Sequence, residues 1–205
     1  MPFPQKRQRM GEDIMKTKDS KLFDLVFAGV LAAMVYVVTL FRFPLLGSKV
    51  HFANAVCLLG GMLLGPVTGG LAAGLGSALY DAFAGYDFIN VLITLVSKFA
   101  MAWVCGVLMD KLSKGEHRLD RTLIASIAGA LTYVALYMLK TYIYNRFVYG
   151  YPLDAVGVTM MGKLIPSLIN AGAAIVAAPI FFHALLPALK AAGVLKRIHA
   201  GREGG

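Results

Sequence analysis

Charge is scarce in this chain and uneven in sign. Only 15% of its 205 residues are charged, where a soluble domain carries about a quarter. Hydrophobic residues make up 58% and come in long runs with brief polar breaks, which excludes a water-soluble globule with a charged shell. Acidic residues are the scarcer kind, 11 against 20 basic. The basic surplus does not describe a nucleic-acid surface. It sits at the two ends and in one internal stretch, flanking apolar runs, and forms no stripe interleaved with aromatics.

Cysteine is nearly absent. Cys57 and Cys105 both fall in apolar runs and make no CxxC or CxxH pattern, which leaves them a packing role. His51, His117, His183 and His199 share no metal-ligand spacing. The chain also lacks a Walker loop, an HExxH motif and a Ser/His/Asp grouping. No catalytic residue, metal or cofactor is therefore expected, and the chain cannot hydrolyse ATP by itself. The N-terminus carries no cleavable signal, since its first apolar run is too long and has no small-residue cleavage site.

What the sequence does have is six apolar runs, which predict an all-α, polytopic bundle of six transmembrane helices. They cover Leu22–Phe41, about His51–Gly65, Pro66–Ala84, Phe88–Met109, Thr122–Tyr144 and about Gly162–Leu186. The second and third are short and glycine-rich, and fit either two crossings or one re-entrant pair. Gly61 and Gly65, then Gly70 and Gly74, put small residues one turn apart, where helix backbones can approach closely.

Charge orients the bundle. Lys6, Arg7, Arg9, Lys16, Lys18 and Lys21 precede the first run; Lys111, Lys114, Arg118 and Arg121 lie between the fourth and fifth; Lys190, Lys196, Arg197 and Arg202 follow the sixth. Six crossings put all three groups on one face, which the positive-inside rule makes cytoplasmic, together with both termini. Five or seven crossings would put one basic end outside. Residues 1–20 then read as a polar cytoplasmic N-terminus without a fold of its own, in which Met15 would make a natural start. Residues 21–188 form the membrane domain, and 189–205 a basic cytoplasmic tail. The loops at 42–50, 85–87 and 145–161 face outwards.

Ionisable and polar residues deep in a membrane span are costly and mark candidate sites. Lys98 lies ten residues into the fourth run, roughly 15 Å at 1.5 Å per residue, near the middle of the hydrocarbon layer. Asn90 and Thr94 share its helix face. The fifth run carries Tyr133, Tyr137, Lys140 and Tyr144 on one face, and the sixth carries Lys163, Ser167 and Asn170. Lys98 either contacts a ligand or pairs for structure. Asn170 needs partners from a neighbouring helix or from a ligand. Asp81, one turn beyond Ser77, either supplies a carboxylate to a site or neutralises Lys98, Lys140 or Lys163. Such a pocket suits a flat, polar heteroaromatic ligand. The mixture of lysine and aspartate permits an anionic, cationic or neutral one.

The size, the topology, the run His51-Phe52-Ala53-Asn54-Ala55-Val56 leading into Gly60–Gly76 and Tyr80-Asp81, and the segment Ile165-Pro166-Ser167-Leu168-Ile169-Asn170 give the chain its resemblance to a known family. Over roughly residues 20–188 it resembles the S components of energy-coupling factor (ECF) transporters. It looks closest to the riboflavin-type branch, which includes pyrimidine, vitamin B6 and queuosine-precursor carriers. The resemblance implies a non-catalytic subunit of the bacterial plasma membrane. It would bind a vitamin-like small molecule in its outer half, under the first, third and fifth loops. It would work with a transmembrane coupling subunit and two cytoplasmic ATPases, without nucleic acid. The family's AxxxA pattern on the first span, which packs against the coupling subunit, matches Ala28 and Ala32. The first loop, Arg42–Val50, with Phe43, Pro44 and Gly47, would act as a hinged lid. An autonomous solute carrier that needs no ATPase is the alternative.

Overall fold

The computed structural model describes residues 4–45, 48–113 and 118–194, with side chains from Leu22 onward except at Leu45 and Ser48. Gly47, Lys114, His117 and the tail beyond Val194, with Lys196, Arg197, His199 and Arg202, lie outside the described residues. The described chain forms six α-helices and one small hairpin: α1 Pro4–Leu40, β1 Phe43–Leu45, β2 Ser48–Val50, α2 Ala53–Leu64, α3 Pro66–Phe83, α4 Phe88–Ser113, α5 Leu119–Ile143 and α6 Leu153–Ala191. A π-helical turn, Tyr144–Val148, prolongs α5.

The central element is α2, all 12 of whose residues are buried. The other five helices pack around it. At about 1.5 Å per residue it measures roughly 18 Å, too short to cross a hydrocarbon layer of about 30 Å. It needs no such length, because it faces protein and not lipid. Gly65, with φ 77°, stops α2, and Pro66 opens α3 in its first turn. This pairing of a left-handed glycine with a following proline makes the sharp reversal.

Among the described residues, four helical segments are long and apolar enough to cross a membrane: Leu22–Leu40, Phe88–Ser113, Leu119–Val148 and Leu153–Ala191. Six were expected; α2 falls short in length, and α3, with its many glycines, does not join them. The outward faces are apolar. Leu71, Leu75 and Leu79 of α3, spaced by four, are all exposed, as are Val26, Val30, Met34 and Val37 of α1. A belt of this kind suits lipid and not water.

Two boundaries depart from the sequence expectation. Helix α1 begins at Pro4, so the polar stretch expected to lack a fold continues the helix; its lysines, arginines and glutamines are good helix formers. Helix α6 begins at Leu153 after Pro152, so most of the expected loop at 145–161 is helical. Proline at the entry and Asp154 in the first turn favour that start.

Glycine sets the packing distances. A Cβ at Gly61 would run into the carbonyl of Ala102 on α4, and one at Gly76 into the carbonyl of Ala32 on α1. Gly172 on α6 has open space there. Gly61→Val is expected to cost about 3 kcal/mol or more, because backbone cannot yield as side chains do. Thermal unfolding and size-exclusion in detergent should show a lost or broadened folded peak for Gly61→Val and a wild-type profile for Gly172→Val. Equal behaviour of the two would remove close backbone approach as the reason for the glycines.

Candidate functional site

One end of the bundle, the end carrying the hairpin, holds a cavity of about 450 Å³. It is built where α1 and α3 finish, where α4 begins, and from the last turns of α5 and the first half of α6. All ten residues singled out from sequence line it: Asp81 from α3; Asn90, Thr94 and Lys98 from α4; Tyr133, Tyr137 and Lys140 from α5; Lys163, Ser167 and Asn170 from α6. Helical periodicity explains the convergence. Each stripe is spaced by three or four, so each helix turns one polar face to the same space.

Among the described residues, the lining contains no aliphatic or phenylalanine side chain, in a protein with 58% hydrophobic residues. Six of the chain's nine tyrosines contribute to it: Tyr80, Tyr86, Tyr133, Tyr137, Tyr144 and Tyr149. Tyr133 and Tyr137 stack with centroids 6.1 Å apart and planes 17° apart. A wall of rings and polar tips accepts a flat solute and orients its edge.

Lys98 is buried. Its ammonium donates to the side-chain oxygen of Asn54 on α2 and lies 3.9 Å from the ring centroid of Tyr133 on α5. The lysine thus ties three helices together at the cavity floor. Its partners, an amide and an aromatic face, leave its charge unneutralised.

Asn170 finds partners in the connection between α1 and α2. Its Oδ1 accepts the His51 backbone N–H at 2.9 Å, and its Nδ2 donates to the Lys49 carbonyl at 2.8 Å. The amide holds β2 against α6, with Phe43 opposite Val50 and Leu45 opposite Ser48 in the antiparallel hairpin. The hairpin forms one wall through Lys49 and His51.

At the rim, Lys49 Nζ donates to Tyr86 Oη at 2.6 Å. That bond holds the Tyr86 phenol below its ordinary range. Asp87 caps α4, accepting the Asn90 backbone N–H at 3.1 Å and also the Asn90 side-chain amide. These bonds keep its carboxyl below the usual carboxylate range. Arg42 lies 4.8 Å from the Tyr80 ring centroid. Three of the lining Ser and Thr hydroxyls are spent on their own helices: Thr39 donates to the Val35 carbonyl at 2.6 Å, Thr141 to that of Tyr137 at 2.9 Å and Ser167 to that of Lys163 at 2.8 Å. By contrast, His51 Nδ1 is buried with no hydrogen-bond partner among the described residues.

Sequence reasoning put Tyr144 on the face of the fifth run, but did not select Thr39, Arg42, Lys49, His51, Ser77, Tyr80, Tyr86, Thr141, Asn145 or Tyr149 for the site. Nor did it select Asn54, the partner of Lys98. A buried asparagine inside an apolar run was the available signal for Asn54, by the criterion already applied to Asn170.

Ala28 and Ala32 are half-buried and pack against the core, with the Ala32 carbonyl facing Gly76. Both stay partly exposed, beside the exposed Gly29 and Ala33 on the same helix.

The fold has a solved counterpart. A chain described under "Structure and mechanism of the S component of a bacterial ECF transporter" superimposes with a TM-score of 0.63 at 17% identity, covering 82% of this chain and 97% of that one. An uncharacterized protein in a gap 3′ region from Pyrococcus woesei is 33% identical over 113 residues, 54% of this chain and 72% of that protein. The family model for the ECF-type riboflavin transporter S component matches residues 20–186, and the chain belongs to this family of multi-pass membrane transporter subunits.

Proposed function

We propose that the chain is a substrate-capturing subunit that binds a heteroaromatic vitamin, or a precursor of a vitamin or modified base, for ATP-driven uptake. The observation that carries this reading is the polar, tyrosine-rich cavity. Its volume of about 450 Å³ falls within the range of roughly 300–1,000 Å³ usual for small-molecule sites. The ten stripe residues, Asp81, Asn90, Thr94, Lys98, Tyr133, Tyr137, Lys140, Lys163, Ser167 and Asn170, form the binding surface. In Asn170 the contribution is indirect, through the hairpin it holds.

In this reading α2 and α3 act as one pair that returns the chain to the side it came from, so four long spans and this pair keep the orientation expected of six crossings. Both termini are cytoplasmic, as the basic flanks require, and the cavity faces the outside, from which a nutrient arrives. The β1–β2 hairpin covers it as the lid. Without an ATPase motif of its own, the chain works with a transmembrane coupling subunit and two cytoplasmic ATPases. Saturable binding of a heteroaromatic vitamin or base by the purified protein is the direct test; no saturable binding across a broad panel would overturn the proposal. Uptake into liposomes lacking any coupling subunit would replace it with an autonomous carrier.

The contact with the coupling subunit is assigned to α1, at Ala28 and Ala32 and the exposed Gly29 and Ala33 beside them. Gly29 has nothing within 4 Å of a built Cβ, so Gly29→Trp leaves the bundle intact. Ligand affinity is expected to stay within about twofold of wild type, while co-purification with the coupling subunit is lost. Retained co-purification would move the contact to another face.

A further inference from the structure

The charge of the ligand is not read from the sequence, but the cavity supplies it. We infer that the ligand is an acidic heteroaromatic, whose carboxylate or phosphate sits between Lys140 on α5 and Lys163 on α6. This deepens the capture reading and rests on it.

Among the described residues, five cationic side chains line the cavity, Arg42, Lys49, Lys98, Lys140 and Lys163, against one lining carboxylate, Asp81, with Asp87 at the rim. Three of the cations are already engaged, and none of their partners is an anion. Lys98 has Asn54 and the Tyr133 ring, Lys49 has the Tyr86 hydroxyl, and Arg42 lies over Tyr80. Those contacts orient the cations without cancelling them.

Lys140 and Lys163 differ from these. Among the described residues neither ammonium has a hydrogen bond or an ion pair within 4 Å; Lys140 has only the Tyr144 ring, 5.6 Å away. Lys140 lies within electrostatic range of two carboxylates, Asp81 and Asp87, and of Lys163. Two carboxylates against five cations still leave the cavity a positive surplus.

Like charges held together at a partly desolvated site repel, and each lacks the water that would screen it. A bound anion reverses the sign of that cost and accepts charge-assisted hydrogen bonds from both ammoniums. The neighbouring Tyr133–Tyr137 stack gives the same ligand a surface for its ring.

The test compares matched neutral and acidic probes on the purified full chain by isothermal titration: riboflavin with riboflavin 5′-phosphate, pyridoxine with pyridoxine 5′-phosphate, and nicotinamide with nicotinate. Glycerol 3-phosphate serves as a ring-free anion. In at least one pair the acidic member is expected to bind about tenfold or more tightly than its neutral partner. Whether that pair is a phosphate or the carboxylate names the group. Lys140→Gln and Lys163→Gln should each reduce the preference to about threefold or less, with an unchanged melting profile. Neutral members binding as well as acidic ones in every pair that binds would overturn the inference and leave the capture reading standing. Glycerol 3-phosphate matching the best acidic probe would also overturn it, in favour of a headgroup or bare-anion site. Binding by none of the probes would count against the capture reading itself, and this inference would fall with it.

Discussion

Lys98→Met is expected to weaken ligand binding by about thirtyfold, the equivalent of one lost charge-assisted hydrogen bond of about 2 kcal/mol. Methionine keeps the length and flexibility of the lysine stem and removes only the charged head. The ammonium has three donors. One goes to Asn54, and the Tyr133 face, 3.9 Å away, occupies another side of the group. What remains faces the cavity, which Lys98 lines. The same substitution also leaves the Asn54 oxygen buried without its donor, and a group orphaned in this way costs about 1–3 kcal/mol. A lower melting temperature in Lys98→Met would therefore not separate a ligand contact from a structural pairing.

The double variant Lys98→Met/Asn54→Leu separates them. Leucine branches where asparagine does, and replacing both polar partners by apolar groups is often near neutral for stability. Melting should return towards wild type while affinity, measured by titration, stays low. Recovery of both would make Lys98 a purely structural tie between α2, α4 and α5. Recovery of stability alone would assign it to the ligand.

The sequence made parts of this site legible because polarity is conspicuous against an apolar helix. Lys98 stands out in Phe88–Ser113 whatever it touches, and spacing alone puts Asn90 and Thr94 beside it. The same logic gathered Tyr133, Tyr137 and Lys140, and then Lys163, Ser167 and Asn170, into faces that prove to line one cavity. The Gly65-Pro66 break between α2 and α3 was equally readable, since both residues act on their own backbone. Long-range contacts were not readable. Asn170 bonds to a strand edge 119 and 121 residues earlier in the chain, and no periodicity encodes that. The hairpin itself has strands of three residues, one containing Pro44, too short for alternation to register. Arg42, Tyr86 and Tyr149 sit in connections and Lys49 in a three-residue strand, where position depends on what packs above them. For α6, hydropathy pointed to the apolar stretch from Gly162 and hid the earlier start at Leu153.

Asn170→Ala is expected to speed ligand release by about tenfold or more. Its amide contributes two hydrogen bonds to the hairpin, at 2.9 Å from the His51 N–H and 2.8 Å to the Lys49 carbonyl. At about 1 kcal/mol net for each, losing both shifts opening of the hairpin by about 2 kcal/mol, or some thirtyfold. The Lys49–Tyr86 contact remains, and so the hairpin loosens without detaching. Because β2 carries Lys49 and His51 into the cavity wall, opening it uncovers the ligand. The dissociation rate should rise while the association rate holds or increases, which stopped-flow mixing resolves. Thr159→Ala is the control on the same helix, since its hydroxyl donates to the Ala155 carbonyl one turn back and it lies outside the cavity lining. Hydrogen exchange supplies a reading that needs no ligand: the His51 amide should be protected in the wild type and exchange faster in Asn170→Ala. An unchanged His51 amide together with an unchanged dissociation rate would mean that the hairpin is held by its remaining contacts, and that Asn170 is not the latch.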